Sequence, residues 1–311
     1  MRGIACLLLV AYHVIGNDSS GLRLPAGSVY RTVNDALAYV RMPLFTFLSG
    51  LVYALRPLSM DSVATFLEGK AKRLLIPFVC VGLLFTVVQC MVPGANSRLP
   101  WEVIPATLIW PNAHFWFLPA LFLIFMLTVA LESYGLLSRP LGALAVFAAS
   151  CFFFQFHNGA VGVFSWNRAL YLLPFFLAGI IAKRFDVRWT AALLLIALLA
   201  PFWQIKIGVV ASAALLALTP KVRPLARIGL YSYTIYLFHV FGTAGARIVL
   251  QDVGISSTLV MFLLGTAAGI ALPIALHRAL QNVPYLNRAF LGLRSNKNSI
   301  RMPATEIIQQ P

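Results

Sequence analysis

Residues 74–93 read LLIPFVCVGLLFTVVQCMVP, twenty positions without a charged side chain. As a helix this stretch is roughly 30 Å long, the thickness of the hydrocarbon core of a bilayer. A helix apolar on every side has no use for water, so the stretch reads as a membrane span. Working outward, similar runs fall at about 3–16, 36–55, 114–133, 141–156, 168–182, 190–204, 206–219, 230–250 and 256–277. The pattern predicts an all-α, polytopic membrane protein with about ten transmembrane helices. The seventh and eighth runs form one apolar stretch broken by Pro201 and Lys206. They read as two short helices or a re-entrant pair.

Composition agrees. The 311 residues are 60% hydrophobic and 11% charged, where a soluble domain carries about 25% charge. The formal net charge is +15, but the basic residues stand between apolar runs and do not interleave with aromatics. They read as positive-inside anchoring, not as a nucleic-acid surface. With the N-terminus inside, most Lys and Arg fall in 56–73, 134–140, 183–189, 220–229 and 278–311. Arg23, Arg31, Arg41, Arg98, Arg168, Lys206 and Arg247 fall outside or near the outer ends. This alternation predicts an even number of spans and two cytoplasmic termini.

Residues 1–292 read as one transmembrane domain and 293–311 as a polar, disordered cytoplasmic tail. Cys6, Cys80, Cys90 and Cys151 lie in or beside apolar runs without CxxC spacing, and read as packing residues. No small-residue cleavage site follows the first run. That run has only about a dozen apolar residues, short of the ~20 a span needs. Either the first helix is buried among others, or the chain begins after the helix does.

An ionisable side chain at membrane depth is costly and points to function. No carboxylate sits mid-span, and Glu132 lies at an inner helix end. This speaks against an ion-coupled carrier. Histidines do lie at depth: His13 in the first run and His239 in the ninth, with His114 opening the fourth. Imidazole exchanges a proton near neutral pH, although a membrane histidine also serves as an interhelical hydrogen-bond group. Eleven helical positions separate Arg2 from His13, three turns plus about 20°, so they share one face about 16 Å apart. Such a line suits an enzyme that grips an anionic donor at the inner surface and reacts with its far end deeper down. Lys70 and Arg73, three apart, share a helix face before the span at 74. They read as anchoring charges or as a phosphate clamp.

These residues resemble a family. Arg2-Gly3-Ile4-Ala5 followed by Tyr12-His13 resembles the opening of the acyltransferase-3 membrane family, an Arg, ten residues and a His. The acidic residue usual before its Arg-Gly pair would precede this chain's start. Pro43–Gly50 resembles the second-helix segment ending in Ser-Gly. Lys70-Ala71-Lys72-Arg73 with Pro77 resembles the R-x-x-R element, with Lys in the first place. His114–Leu118 and Gly229–His239 resemble the Trp-Phe-Leu segment and the late Ser-Tyr-x-Ile-Tyr-Leu-x-His run.

The resemblance implies a multi-pass protein of the bacterial inner membrane that moves an acyl group, most often acetyl, from cytoplasmic acyl-CoA to a sugar hydroxyl. The acceptor would be an exported or cell-surface glycan or a lipid-linked oligosaccharide. Acyl-CoA would be the donor substrate, with no permanently bound cofactor. Arg2, Lys70 and Arg73 are expected to bind the CoA phosphates. His13 is expected to deprotonate the acceptor or carry the acyl group, and His239 to assist as a second catalytic residue. His114 and Trp116 are expected to contact substrate, although Trp116 also reads as an interface aromatic. Ser49 and Gly50 read as small-residue packing rather than a nucleophile. No two histidines or cysteines have metal-ligand spacing. The competing class is a transporter or flippase for a lipid-linked glycan. It needs neither acyl-CoA nor the Arg2–His13 pair.

Overall fold

The computed structural model describes residues 1–56, 58–218 and 222–292. Its helices are α1 (Arg2–Ile15), α2 (Val29–Ala36), α3 (Ala38–Ala54), α4 (Val63–Met91), α5 (Val103–Ala106), α6 (Phe117–Ser133) and α7 (Pro140–Phe153). They continue with α8 (Trp166–Arg184), α9 (Val187–Leu199), α10 (Trp203–Leu218), α11 (Arg223–Leu230), α12 (Ser232–Asp252), α13 (Thr258–Leu280) and α14 (Pro284–Leu291). One two-residue antiparallel pair, β1 (Gly16–Asn17) with β2 (Ser20–Gly21), follows α1. The expected tail at 293–311, with Lys221, lies outside the described residues.

All ten expected apolar runs are helical, but seven helical segments among the described residues are long and apolar enough to cross a membrane. They are Val29–Ala54, Val63–Met91, Ala113–Ser133, Pro140–His157, Val163–Arg184, Ser232–Asp252 and Thr258–Leu280. The chain is a multi-pass α-helical membrane protein, and helix length supports fewer spans than the hydropathy pattern suggests. The remaining three, α1, α9 and α10, are short. α9 and α10 are two separate helices, parted at Ala200–Phe202 where Pro201 stands. A proline there removes a backbone donor and disfavours helix at the residue before it.

α1 is packed among α3, α11, α12 and α13, and Ala5, Cys6, Leu9 and Val10 are almost wholly buried. A helix shielded by neighbours need not match the bilayer's thickness. Gly3 makes this packing possible, because a Cβ there would collide with the backbone of Leu225 in α11.

The centre of the molecule is α8. From Leu172 to Ile181 every side chain is buried, as expected for a helix apolar on all sides. α3 lies against it through two glycines. A Cβ at Gly50 would strike the Phe176 carbonyl, and one at Gly179 would strike the Phe47 carbonyl. Small residues let transmembrane backbones approach where no hydrophobic force drives them together. Ser49 donates to the Phe45 carbonyl at 2.9 Å, so the Ser-Gly pair packs, as its sequence suggests. Cys6, Cys80, Cys90 and Cys151 are free thiols.

The helix ends meet on two faces. On one, Glu132 pairs with Arg184 at 2.6 Å and accepts from Tyr53 at 3.1 Å. On the other, Asn96 donates to the Gly21 carbonyl at 2.8 Å and Arg247 to the Gly94 carbonyl at 2.7 Å. The first face carries Arg2 and Arg73, and the second carries the β hairpin.

Candidate functional site

The hairpin holds the end of α1 in place. Gly16 has φ 71° and its N–H bonds the Tyr12 carbonyl. That left-handed conformation suits glycine, and it lets the chain turn back at once through Asn17 and Ser20. His13, in the last turn of α1, is thereby held beside a cavity of about 780 Å³. This is a typical volume for a small-molecule site.

The cavity lies between α1, α4 and α12, with α3 and the turn before α6 closing its sides. Among its lining residues are Tyr12, His13, Arg41, His114, Trp116, Arg168, Tyr236 and Arg247. No Asp or Glu among the described residues lines it.

Three histidines from distant parts of the chain converge here. The ring centroids of His13 and His239 are 4.7 Å apart, those of His114 and His239 4.8 Å, and those of His13 and His114 5.7 Å. His114 stands in the 3-10 turn Ala113–Trp116. Ala113 is left-handed at φ 49°, a conformation that costs about 1–2 kcal/mol for a residue with a Cβ. The Tyr236 hydroxyl donates to the His114 carbonyl and pins this turn against α12. His114 is buried, and neither ring nitrogen has a partner of good geometry among the described residues.

His239 has its protons arranged by its own helix. Its Nδ1 lies 2.9 Å from the carbonyl oxygens of both Ile235 and Tyr236. A carbonyl only accepts, so Nδ1 carries the hydrogen and the lone pair resides on Nε2. That Nε2 is buried and has no hydrogen-bond partner among the described residues, at a cost of about 1–3 kcal/mol. The fold thus stores an unclaimed proton acceptor next to His13.

No group of three His, Cys, Asp or Glu among the described residues could hold a metal ion.

The structure adds Arg41, which charge pattern alone places at an outer helix end. It is 5% exposed and lines the cavity. Its guanidinium lies 4.1 Å from the Tyr12 ring centroid, and Tyr12 in turn touches His13 at 4.8 Å between rings. The signal for it is an arginine inside the apolar run 36–55. Trp116 also lines the cavity, with Arg168 at 5.9 Å from its ring.

The basic trio lies elsewhere. Arg2, Lys70 and Arg73 do not line the cavity. The face of α1 between Arg2 and His13 is filled by buried Cys6 and Leu9, of which Leu9 reaches the cavity wall. Arg2 packs beside Gly229 at the end of α11. Arg73 lies 5.5 Å from the Tyr233 ring in the first turn of α12, and the Tyr233 hydroxyl donates to the Arg73 carbonyl. Both arginines therefore flank the α11–α12 corner. Lys70 turns away from them, with Nζ 3.9 Å from the Phe125 ring and 5.0 Å from Phe66.

Neither curated proteins nor solved structures yield a match. A family model described as an acyltransferase domain matches residues 1–219. That span contains Arg2, His13, Arg41, Lys70, Arg73, His114 and Trp116, and ends before His239. It covers well over half of the chain, and the chain belongs to the acyltransferase-3 family.

Proposed function

We propose that the protein is an O-acyltransferase of the bacterial inner membrane. It moves an acyl group, acetyl in the first instance, from cytoplasmic acyl-CoA to a hydroxyl of an exported or cell-surface glycan. The observation that carries this reading is the imidazole of His13 at the cavity wall, 4.7 Å between ring centroids from His239 and its unclaimed Nε2. Acyl transfer to an alcohol needs a base for the hydroxyl proton, and a neutral imidazole with a free lone pair is such a base.

In this reading the face bearing Arg2 is cytoplasmic, and both termini lie on it. Arg2 and Arg73 hold the CoA phosphates across the α11–α12 corner, with Lys70 adding charge nearby. Arginine binds phosphate bidentately, whereas lysine acts as a point charge. The acceptor enters from the hairpin face and lies in the cavity against Trp116 and His114. His13 takes the hydroxyl proton as the oxygen attacks the thioester carbonyl. The new C–O bond forms, the C–S bond breaks, and the proton passes to the departing thiolate, which leaves as CoA thiol. The Nε2 lone pair of His239 receives an N–H from His13 while that ring is charged. Tyr236 keeps His114 in position by holding its carbonyl.

The test uses purified protein in vesicles with labelled acetyl-CoA and a glycan acceptor. CoA thiol release together with label on the glycan is expected from wild type and absent from His13→Ala. Full glycan acetylation by His13→Ala overturns the assignment.

A further inference from the structure

The cavity has a buried cation that makes no ion pair among the described residues. Arg41 is 5% exposed, and its Nη2 donates to the Asn34 carbonyl at 2.7 Å and to Asn34 Oδ1 at 3.1 Å. Both acceptors are neutral. The buried Nε has no acceptor among the described residues. Asp35, one residue from Asn34, is engaged by Arg31 at 3.0 Å. Arg41 takes part in no ion pair among the described residues.

A buried cation left unpaired costs several kcal/mol. This fold goes to some length to keep one. Asn34 is itself buried and reaches back to the Gly16 carbonyl at 3.4 Å. The hairpin, α2 and α3 together hold the guanidinium against Tyr12.

The cavity around it is cationic as a whole. Arg168 and Arg247 line it too. Their strongest contacts are again neutral, to the Gly159 carbonyl at 2.9 Å and the Gly94 carbonyl at 2.7 Å. With no Asp or Glu among the described residues that line it, three arginines border one space.

We propose that this cavity is a subsite for an anionic acceptor, and that Arg41 receives the acceptor's negative group beside His13. The inference rests on the reading above that the cavity takes the acceptor. A charge that develops only during reaction would leave Arg41 uncompensated at rest, whereas a standing anion on the substrate compensates it on binding. The donor's phosphates are assigned to the opposite face, so the anion belongs to the acceptor. Its chemistry is a carboxylate or a phosphate carried by a saccharide, fitted by the planar fork of arginine.

The experiment measures binding to the full chain in nanodiscs of phosphatidylcholine, without acetyl-CoA. The probes are maltotriose, trigalacturonate and farnesyl-pyrophosphoryl-N-acetylglucosamine. An anionic probe is expected to bind about tenfold or more tighter than maltotriose, the value of one charge-assisted hydrogen bond. Preference for trigalacturonate identifies an acidic sugar as the source of the charge. Preference for the pyrophosphoryl sugar identifies a lipid carrier's phosphate. In Arg41→Gln the preference is expected to vanish, and Arg41→Lys to keep part of it. No preference in wild type, or an unchanged preference in Arg41→Gln, overturns the proposal. If Arg41→Gln does not fold, arginine modification by phenylglyoxal in wild type decides. Slower modification of Arg41 with an anionic probe than with maltotriose supports the proposal, and equal rates overturn it. Acetyl transfer to maltotriose without anionic preference would sink this inference and spare the acyltransferase reading. Absent transfer with intact anionic binding would do the reverse.

Discussion

His13 and His239 stand with ring centroids 4.7 Å apart, and the fold fixes the proton of only one of them. His239 spends Nδ1 on two carbonyls of its own helix and keeps Nε2 free. His13 reaches the cavity wall. The two rings therefore have different work available to them, the first as the group that meets substrate and the second as a buried acceptor behind it.

That difference can be read in variants. His13→Ala removes the base and is expected to lower acetyl transfer by roughly 10²–10⁴-fold. His239→Asn keeps a donor near the Nδ1 position and deletes Nε2. It is expected to lower kcat by a smaller factor while leaving the KM for acetyl-CoA unchanged. Steady-state kinetics in vesicles separate the two, and an unaltered kcat in His239→Asn would remove the proton-acceptor role.

Much of this site was legible in the chain because membrane depth makes polarity conspicuous. His13 and His239 stand out in apolar runs; helical phase puts Arg2 on the same face as His13, but the structure leaves Arg2 outside the cavity. Their meeting with His114 was not legible. A contact between the first helix, the turn before α6 and α12 depends on how helices pack, and apolar runs of similar composition carry little information about their neighbours. Arg41 is visible as a charge inside a run, but the charge pattern puts it near the run's outer end. Its burial comes from the α2–α3 corner and from Asn34, neither of which has a hydropathy signature. The sequence also shows α1, α9 and α10 as short runs, yet counts them as spans. Hydropathy measures how apolar a run is, while spanning depends on where the helix stops.

The basic residues at the Arg2 face are expected to contribute unequally. Arg73 is exposed beside Tyr233, with its guanidinium available to a phosphate. Lys70 is already occupied over Phe125 and Phe66. Arg73→Ala is expected to raise the KM for acetyl-CoA by about tenfold or more, the value of a charge-assisted bond. Lys70→Ala is expected to raise it less. Equal and negligible effects on KM would return both residues to membrane anchoring.

Tyr236 reports on whether the turn carrying His114 must be held. Its hydroxyl is buried and its acceptor is the His114 carbonyl. Tyr236→Phe preserves the ring and leaves that carbonyl unpaired, at a cost of about 1–3 kcal/mol in stability. Transfer to the acceptor is expected to fall while the KM for acetyl-CoA stays constant, because the donor phosphates are gripped elsewhere. A fall in thermal stability with unchanged acceptor kinetics would make Tyr236 a structural residue only.

The α3–α8 contact makes the sharpest prediction about stability. Gly179 and Gly50 face each other's helices so closely that a Cβ on either would overlap a backbone carbonyl, of Phe47 and Phe176 respectively. A backbone cannot rotate aside as a side chain can, so the helices must part. Gly179→Val is expected to destabilise by at least the 1–3 kcal/mol typical of an overpacked core. The harm should spread to the site, because α3 also carries Arg41. Gly69 is the matched control. It lies in α4 with open space where its Cβ would be. Alanine there gains about 1 kcal/mol of helix propensity over glycine in an exposed helix, so Gly69→Ala is expected to be neutral or stabilising. Thermal unfolding of the detergent-solubilised variants compares the two. If Gly179→Val melts with wild type, the close approach of α3 and α8 is not what holds the centre of the molecule together.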